Sequence, residues 1–153
     1  MGTATTKSVL VVALTLLVAI GYSTACKCEP RNNTVHYCSV GALSRATVKR
    51  SRVENVTQGD FTYPARVFIV NHKRIFKSNS RFAELDDGAK KRVFSPMESA
   101  SCGVQLDVNT DYLLSGYVSQ GRVWTHMCQW TEKWSEVDSA VIRKLKNNGF
   151  SCD

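Results

Sequence analysis

The sequence lacks the short motifs that mark most enzyme active sites. It has no glycine-rich phosphate loop, no G-x-S-x-G nucleophile turn and no H-E-x-x-H metal motif. Its three histidines, His36, His72 and His126, are scattered and share no metal-ligand spacing. Asp86 and Asp87 are adjacent carboxylates, but the glycine after them favours a solvated turn. We therefore predict that the protein is not an enzyme and carries no cofactor.

Long apolar runs are equally scarce, and the one present lies at the N-terminus. Val9 to Ile20 is almost entirely aliphatic, follows a single charge at Lys7 and precedes Ser23-Thr24-Ala25. This pattern is typical of a secretory signal peptide cleaved after Ala25. The run is short for a transmembrane anchor, and Ser23 stands where a bacterial lipoprotein signal usually has an aliphatic residue. We predict a signal peptide at residues 1–25, a secreted chain that starts at Cys26, and no membrane span.

Cysteine is well represented, and every cysteine follows the apolar run. An even number of cysteines in an oxidising compartment predicts three disulfides, although their pairing stays open. A zinc site is the weaker interpretation because no C-x2-C pair is present. Two N-x-T sequons, at Asn32 and Asn55, predict N-glycosylation. The cysteines are Cys26, Cys28, Cys38, Cys102, Cys128 and Cys152.

Basic residues outnumber acidic ones, with 20 Lys and Arg against 13 Asp and Glu. They occur in short groups that most often form solvated faces and that also suit weak binding to sulfated glycans. A secreted chain without interleaved basic and aromatic residues is not expected to bind nucleic acid. The groups are Lys49-Arg50-Ser51-Arg52, His72-Lys73-Arg74, Lys90-Lys91-Arg92 and Arg143-Lys144-Leu145-Lys146.

Strand patterns come first after residue 25, and a helix pattern comes last. The strongest strand is Tyr63–Val70, which is rich in β-branched and aromatic residues. A capping-box pattern at Ser135 and Asp138 precedes apolar residues at helical spacing. This order predicts one mainly β domain at residues 26–153, a five-stranded OB-type Greek-key barrel with a C-terminal helix. The other predicted strands are 40–48, 91–94, 112–118 and 123–128, and the apolar helix positions are Val137, Val141 and Leu145.

Two motifs resemble a known family. Cys26-Lys27-Cys28-Glu29-Pro30 would stand at the mature N-terminus, and Phe94-Ser95-Pro96-Met97-Glu98-Ser99 runs towards Cys102-Gly103. Together they resemble the inhibitory N-terminal domain of the tissue inhibitors of metalloproteinases, a netrin-like module with an OB-type barrel. The resemblance covers Cys26 to Asp153. The six further cysteines of the family's second domain have no counterpart here, so the resemblance is to a single-domain version.

The resemblance implies a mechanism and a set of contact residues. It implies the disulfides Cys26–Cys102, Cys28–Cys128 and Cys38–Cys152, which would leave the amine and carbonyl of Cys26 free to chelate the zinc of an extracellular metalloproteinase. It places Lys27, where the family usually has a small hydroxyl residue, beside that zinc, and the inhibitor is expected to be a monomer. The protease-binding residues it implies are Cys26, Lys27, Cys28, Glu29, Pro30, Met97, Glu98 and Ser99.

A second interpretation remains open. Netrin-like modules also occur in secreted proteins that bind a receptor, a matrix component or a host immune component and inhibit no protease. Lys27 and the basic groups suit such a protein. A cysteine at a free mature N-terminus favours the inhibitor, because most other netrin-like modules follow earlier parts of a longer chain.

Overall fold

The computed structural model describes residues 26–147 and 149–152. The predicted signal peptide, residues 1–25, lies outside this range. The described residues form a mainly β fold with six strands, four α-helices and three disulfides. Within the same range, no helix combines the length and the apolar character needed to cross a membrane.

One long hairpin forms the base of the fold. β1 (Ala42–Gln58) pairs antiparallel with β2 (Phe61–Ser78), and Gly59, with φ of 60°, supplies the left-handed backbone of the turn. Register shifts between Leu43 and Arg50 bend the pair over the core. The strand predicted at Tyr63–Val70 lies within β2 and is confirmed.

The remaining described strands complete the sheet and close it on itself. They are β3 (Arg92–Pro96), β4 (Asp111–Ser119), β5 (Arg122–Trp124) and β6 (Thr131–Lys133). β3 pairs antiparallel with β2 and parallel with β5, β5 pairs with β4, and β4 pairs with β1. These pairings close a ring of five strands, and β6 adds a sixth strand on β4. The predicted mainly β fold with a C-terminal helix is confirmed.

The strand predicted at 123–128 was wrong beyond Trp124. After β5 the chain leaves the sheet, since the Met127 N–H donates to the Cys102 carbonyl at 2.8 Å. The Gln129 N–H then donates to the His126 carbonyl at 2.9 Å, which forms a turn around the cysteine. β6 was not predicted, because its three half-buried residues are too few to show alternation.

The C-terminal helix starts later than the capping pattern predicts. α4 (Ser139–Lys146) begins after Asp138, whose carboxylate accepts a hydrogen bond from the Ala140 N–H at 2.6 Å. Asp138 is therefore the N-cap, and Ser135 is not. Val137 precedes the helix but is buried against the same apolar cluster as Leu145.

Three shorter helices also begin at side-chain caps. Asp86 accepts a hydrogen bond from the Ala89 N–H at 2.8 Å and so caps the helix that Asp87 begins. The helices and their caps are α1 (Asn33–Ser39, Asn32), α2 (Ser80–Ala83, Asn79) and α3 (Asp87–Lys90, Asp86).

Buried side chains form separate clusters. One includes Phe68 and Phe82 and joins the strands of the ring to α2. A second includes Trp130 and Phe150 and packs α1 and α4 against β1 and β4. The Cys38–Cys152 disulfide, with a Cα–Cα distance of 5.5 Å, ties α1 to the C-terminal segment beside this second cluster.

A charged contact strengthens the closure between β1 and β4. The Asp111 carboxylate accepts hydrogen bonds from Arg45 at 2.6 Å, Thr47 at 2.6 Å and Lys73 at 2.8 Å. Burial alone would raise the pKa of Asp111, but these donors hold it far below its ordinary value. Asp111 therefore stays ionised and links β1, β2 and β4.

Candidate functional site

Two disulfides hold the segment Cys26–Pro30 against the rest of the fold. Cys26 is bonded to Cys102 and Cys28 to Cys128, each with a Cα–Cα distance of 5.1 Å. The two bridges also touch, because the Cys128 sulfur lies 3.7 Å from the Cys26 sulfur and 3.9 Å from the Cys102 sulfur. These are the pairs that the family resemblance implies. We call Cys26–Pro30 the first strip.

The two bridged cysteines leave most of the first strip in solvent. Cys26 is half-buried, whereas Lys27, Cys28, Glu29 and Pro30 are exposed. No helix or strand includes these residues, so the disulfides fix the path of the chain here.

A second strip, Met97–Ser99, follows β3 and reaches the same disulfide. The chain turns at Glu98, whose carbonyl accepts hydrogen bonds from the Ser101 and Gly103 N–H groups at 3.0 Å each. Cys102 then adopts a left-handed backbone with φ of 62°. Met97 is half-buried, while Glu98 and Ser99 are exposed. The Cys26–Cys102 bond therefore joins the two strips through the end of this turn.

Gly103 makes the turn possible. A Cβ at this position would overlap the Pro96 carbonyl oxygen and would lie 2.9 Å from the Glu98 carbonyl oxygen. Both are backbone atoms and cannot move aside as a flexible side chain can. Glycine is therefore required sterically at Gly103, which accounts for the Cys-Gly pair in the sequence.

Met127 belongs to the same surface, and sequence reasoning missed it. Met127 is 41% exposed, and its N–H donates a hydrogen bond to the Cys102 carbonyl. The next residue is Cys128, which is bonded to the first strip. The sequence signal that could have found Met127 is its position beside a cysteine of the cluster.

An open groove of about 470 Å³ borders the first strip. Cys28–Arg31 form one side, and His36 and 127–132 form the rest. Burial, followed by the charge of Arg31, lowers the pKa of both His36 and His126. The Cys128 N–H donates to Nδ1 of His126 at 3.2 Å, so His126 is neutral when this bond forms.

The sulfur cluster is a structural feature formed by two disulfides. Cys26, Cys102 and Cys128 bring their sulfurs within 4.8 Å of one another, a spacing that thiolates could use for a metal ion. All three sulfurs are in disulfides, and the described residues include no free cysteine. Disulfide sulfurs are not thiolate ligands. This surface therefore exposes backbone and side chains that two disulfides hold in place.

The fold and this surface define the class of protein, a disulfide-bonded β domain with a chain segment fixed at its surface by two disulfides. The family model for tissue inhibitor of metalloproteinase matches residues 24–152, and the chain belongs to this family. The resemblance drawn from the two motifs is thereby confirmed. Members of this family are inhibitors and not enzymes, which agrees with the prediction from the missing catalytic motifs.

Individual relatives are distant. Metalloproteinase inhibitor 4 of Mus musculus is 27% identical over 141 residues, which are 90% of this chain and 60% of that protein. Metalloproteinase inhibitor 3 of Gallus gallus is 25% identical over 124 residues, 80% of this chain and 54% of that protein. An NTR domain-containing protein of Margaritifera margaritifera is 26% identical over 145 residues, which are 94% of this chain and 93% of that protein. The chain thus spans little more than half the length of the two metalloproteinase inhibitors.

Proposed function

We propose that this protein is a secreted inhibitor of zinc metalloendopeptidases that acts through the N-terminal amine and the carbonyl of Cys26. The observation that carries the proposal is the double anchoring of the first strip by Cys26–Cys102 and Cys28–Cys128, whose sulfurs approach to 3.7 Å. Family membership supports a metalloproteinase as the partner.

The chemistry of the target suits such a ligand. A zinc peptidase holds its metal with three protein side chains and leaves a further position for the water that attacks the peptide bond. The amine nitrogen and carbonyl oxygen of one residue can close a five-membered chelate ring on the metal and displace that water. An α-amine has an ordinary pKa of about 8, so a useful fraction is neutral near physiological pH. Metal binding then favours the neutral form.

Rigidity gives the first strip its advantage over a free peptide. A flexible peptide terminus loses conformational entropy when it is fixed on an enzyme. Here the two disulfides fix Cys26 and Cys28 before binding. The second strip, with Glu98 and Ser99 exposed beside the same bridge, extends the surface that would fill the substrate groove.

The test is to determine the N-terminal residue of the secreted protein and to measure its inhibition of a panel of zinc endopeptidases. We expect Cys26 at the N-terminus and inhibition that competes with substrate. A mature chain that starts at any other residue would exclude chelation by Cys26.

One observation favours a second function, a netrin-like binding protein without inhibitory activity. The relative from Margaritifera margaritifera, 93% of whose length this chain matches, is named for its NTR domain and not for inhibition. In that case the protein would inhibit no enzyme of the panel and would bind a receptor, a matrix component or a host immune component.

We further propose that the secreted protein is glycosylated and monomeric. Asn32 and Asn55 are exposed, and the Asn32 side-chain oxygen caps α1 while its nitrogen stays available for a glycan. We expect both sequons to carry glycans, which the mass before and after enzymatic deglycosylation would reveal. We expect a monomer by light scattering.

Sulfated glycans are a further proposed partner class. Exposed Arg50 and Arg52 lie on one face of β1. Retention on heparin that falls when both are replaced by Ser would support this contact, and unchanged retention would exclude it.

A further inference from the structure

Lys27 is the residue of the first strip whose chemistry the chelation mechanism leaves unexplained. It is exposed and stands between two disulfide-bonded cysteines. Among the described residues, no carboxylate lies within ion-pair distance of its ammonium group. The charge of Lys27 is therefore not neutralised by this part of its own chain.

Chelation would bring this charge close to the metal. The Lys27 nitrogen is bonded to the carbonyl carbon of Cys26, so a zinc ion on that carbonyl oxygen lies within about 6 Å of the Lys27 Cα. The side chain then leaves the backbone beside the metal and faces the enzyme subsite next to the zinc. Because Cys26 and Cys28 are both anchored, the backbone at Lys27 cannot move away from this position.

An ammonium group in that subsite is costly without a partner. Removing an unpaired charge from water is unfavourable, and the charge of the zinc ion repels a cation nearby. A carboxylate in the subsite would offset both effects, and in a closed pocket the pair would be only weakly screened. An apolar pocket offers no such compensation.

We propose that Lys27 directs this inhibitor to zinc endopeptidases that carry a carboxylate in the pocket beside the catalytic zinc. The same residue disfavours enzymes whose pocket is wholly apolar, because the charge must then be desolvated without a partner. This inference rests on the proposed function, since it requires the first strip to occupy the substrate groove.

The experiment is a double-mutant cycle between inhibitor and enzyme. The parent enzyme is the catalytic domain of a zinc endopeptidase whose pocket beside the zinc is apolar. The pocket-Glu enzyme is the same domain with one apolar residue of that pocket replaced by Glu. The inhibitor is used as the native chain and as Lys27→Met, which keeps length and removes charge. Lys91→Met is the matched control, because Lys91 is exposed and precedes β3, at the opposite end of that strand from Met97.

We expect the native chain to bind the pocket-Glu enzyme at least about tenfold more tightly than the parent enzyme. Lys27→Met should reverse this preference, Lys91→Met should retain it, and the preference should persist at high ionic strength. If the ratio of the inhibition constants for the two enzymes is the same for the native chain as for Lys27→Met, Lys27 lies outside the pocket. In that case the inference is wrong, although the protein is still an inhibitor. If neither form inhibits either enzyme, the proposed function fails and the inference fails with it.

Discussion

At the scale of single residues, backbone geometry decides whether the two strips meet. Gly103 is the clearest case, because a Cβ there would overlap the Pro96 carbonyl oxygen. Gly103→Ala should lower the free energy of unfolding by about 1–3 kcal/mol. It should also weaken inhibition, since Met97–Ser99 must shift to relieve the overlap. Denaturant unfolding and an inhibition assay measure the two effects.

A matched control separates loss of stability from displacement of the second strip. Gly121 has φ of 67° in the turn after β4, and a Cβ there would meet no atom within 4 Å. Gly121→Ala should destabilise through backbone strain and leave inhibition at the native level. Native inhibition by Gly103→Ala would show that the second strip does not depend on this turn.

Histidine protonation gives the fold a predicted pH dependence. Burial and Arg31 lower the pKa of His126, and its Nδ1 accepts the Cys128 N–H. A histidine whose pKa is lower in the native state than in the unfolded state prefers to be neutral in the fold. Its contribution to stability is present above the unfolded-state pKa of about 6.5 and is lost as the pH falls through the native-state pKa. His36 and His72, also with lowered pKa values, act in the same direction.

The variant His126→Asn keeps an acceptor oxygen near the position of Nδ1 and cannot titrate. We expect the native chain to lose more stability than this variant between about pH 7.5 and about pH 5, measured by denaturant midpoints. Equal losses in both proteins would mean that His126 is not a source of the pH dependence.

At the scale of elements, the sequence predicts the parts whose side-chain pattern is long and regular. Tyr63–Val70 is such a segment, and it lies within β2. The 123–128 prediction failed because hydrogen bonding around Met127 and the Cys128 disulfide override strand propensity. α1 could not be predicted from apolar spacing. Tyr37 is the one residue of this short helix that is buried, and a single buried position shows no helical period.

α1 also depends on a covalent link that can be tested apart from the strips. Cys38–Cys152 joins it to the C-terminal segment across 114 residues. Replacing both cysteines by Ser should lower the free energy of unfolding by about 3–5 kcal/mol. Inhibition at a temperature where the variant stays folded should be unchanged, because the other two disulfides hold the first strip. Loss of inhibition in the folded variant would show that α1 positions the first strip.

At the scale of the whole molecule, the site unites segments that are far apart in sequence. Cys26 meets Cys102 across 76 residues, and Cys28 meets Cys128 across 100. Residue patterns alone leave these pairings open, and the family resemblance supplies them. The position of Met127 beside the two strips depends on how the chain leaves β5 and could not be predicted from the local pattern. What the sequence did predict is the pair of strips, since each carries a compact motif.

The most direct test of zinc chelation is to place one Ala before Cys26. This extension keeps the core and the disulfides but converts the α-amine into an amide nitrogen, which cannot donate a lone pair to zinc. We predict that the inhibition constant rises by about two orders of magnitude or more, equivalent to at least about 2.7 kcal/mol of binding free energy. The thermal unfolding midpoint should match that of the native chain. An extended protein that inhibits a zinc endopeptidase as tightly as the native protein would contradict the mechanism.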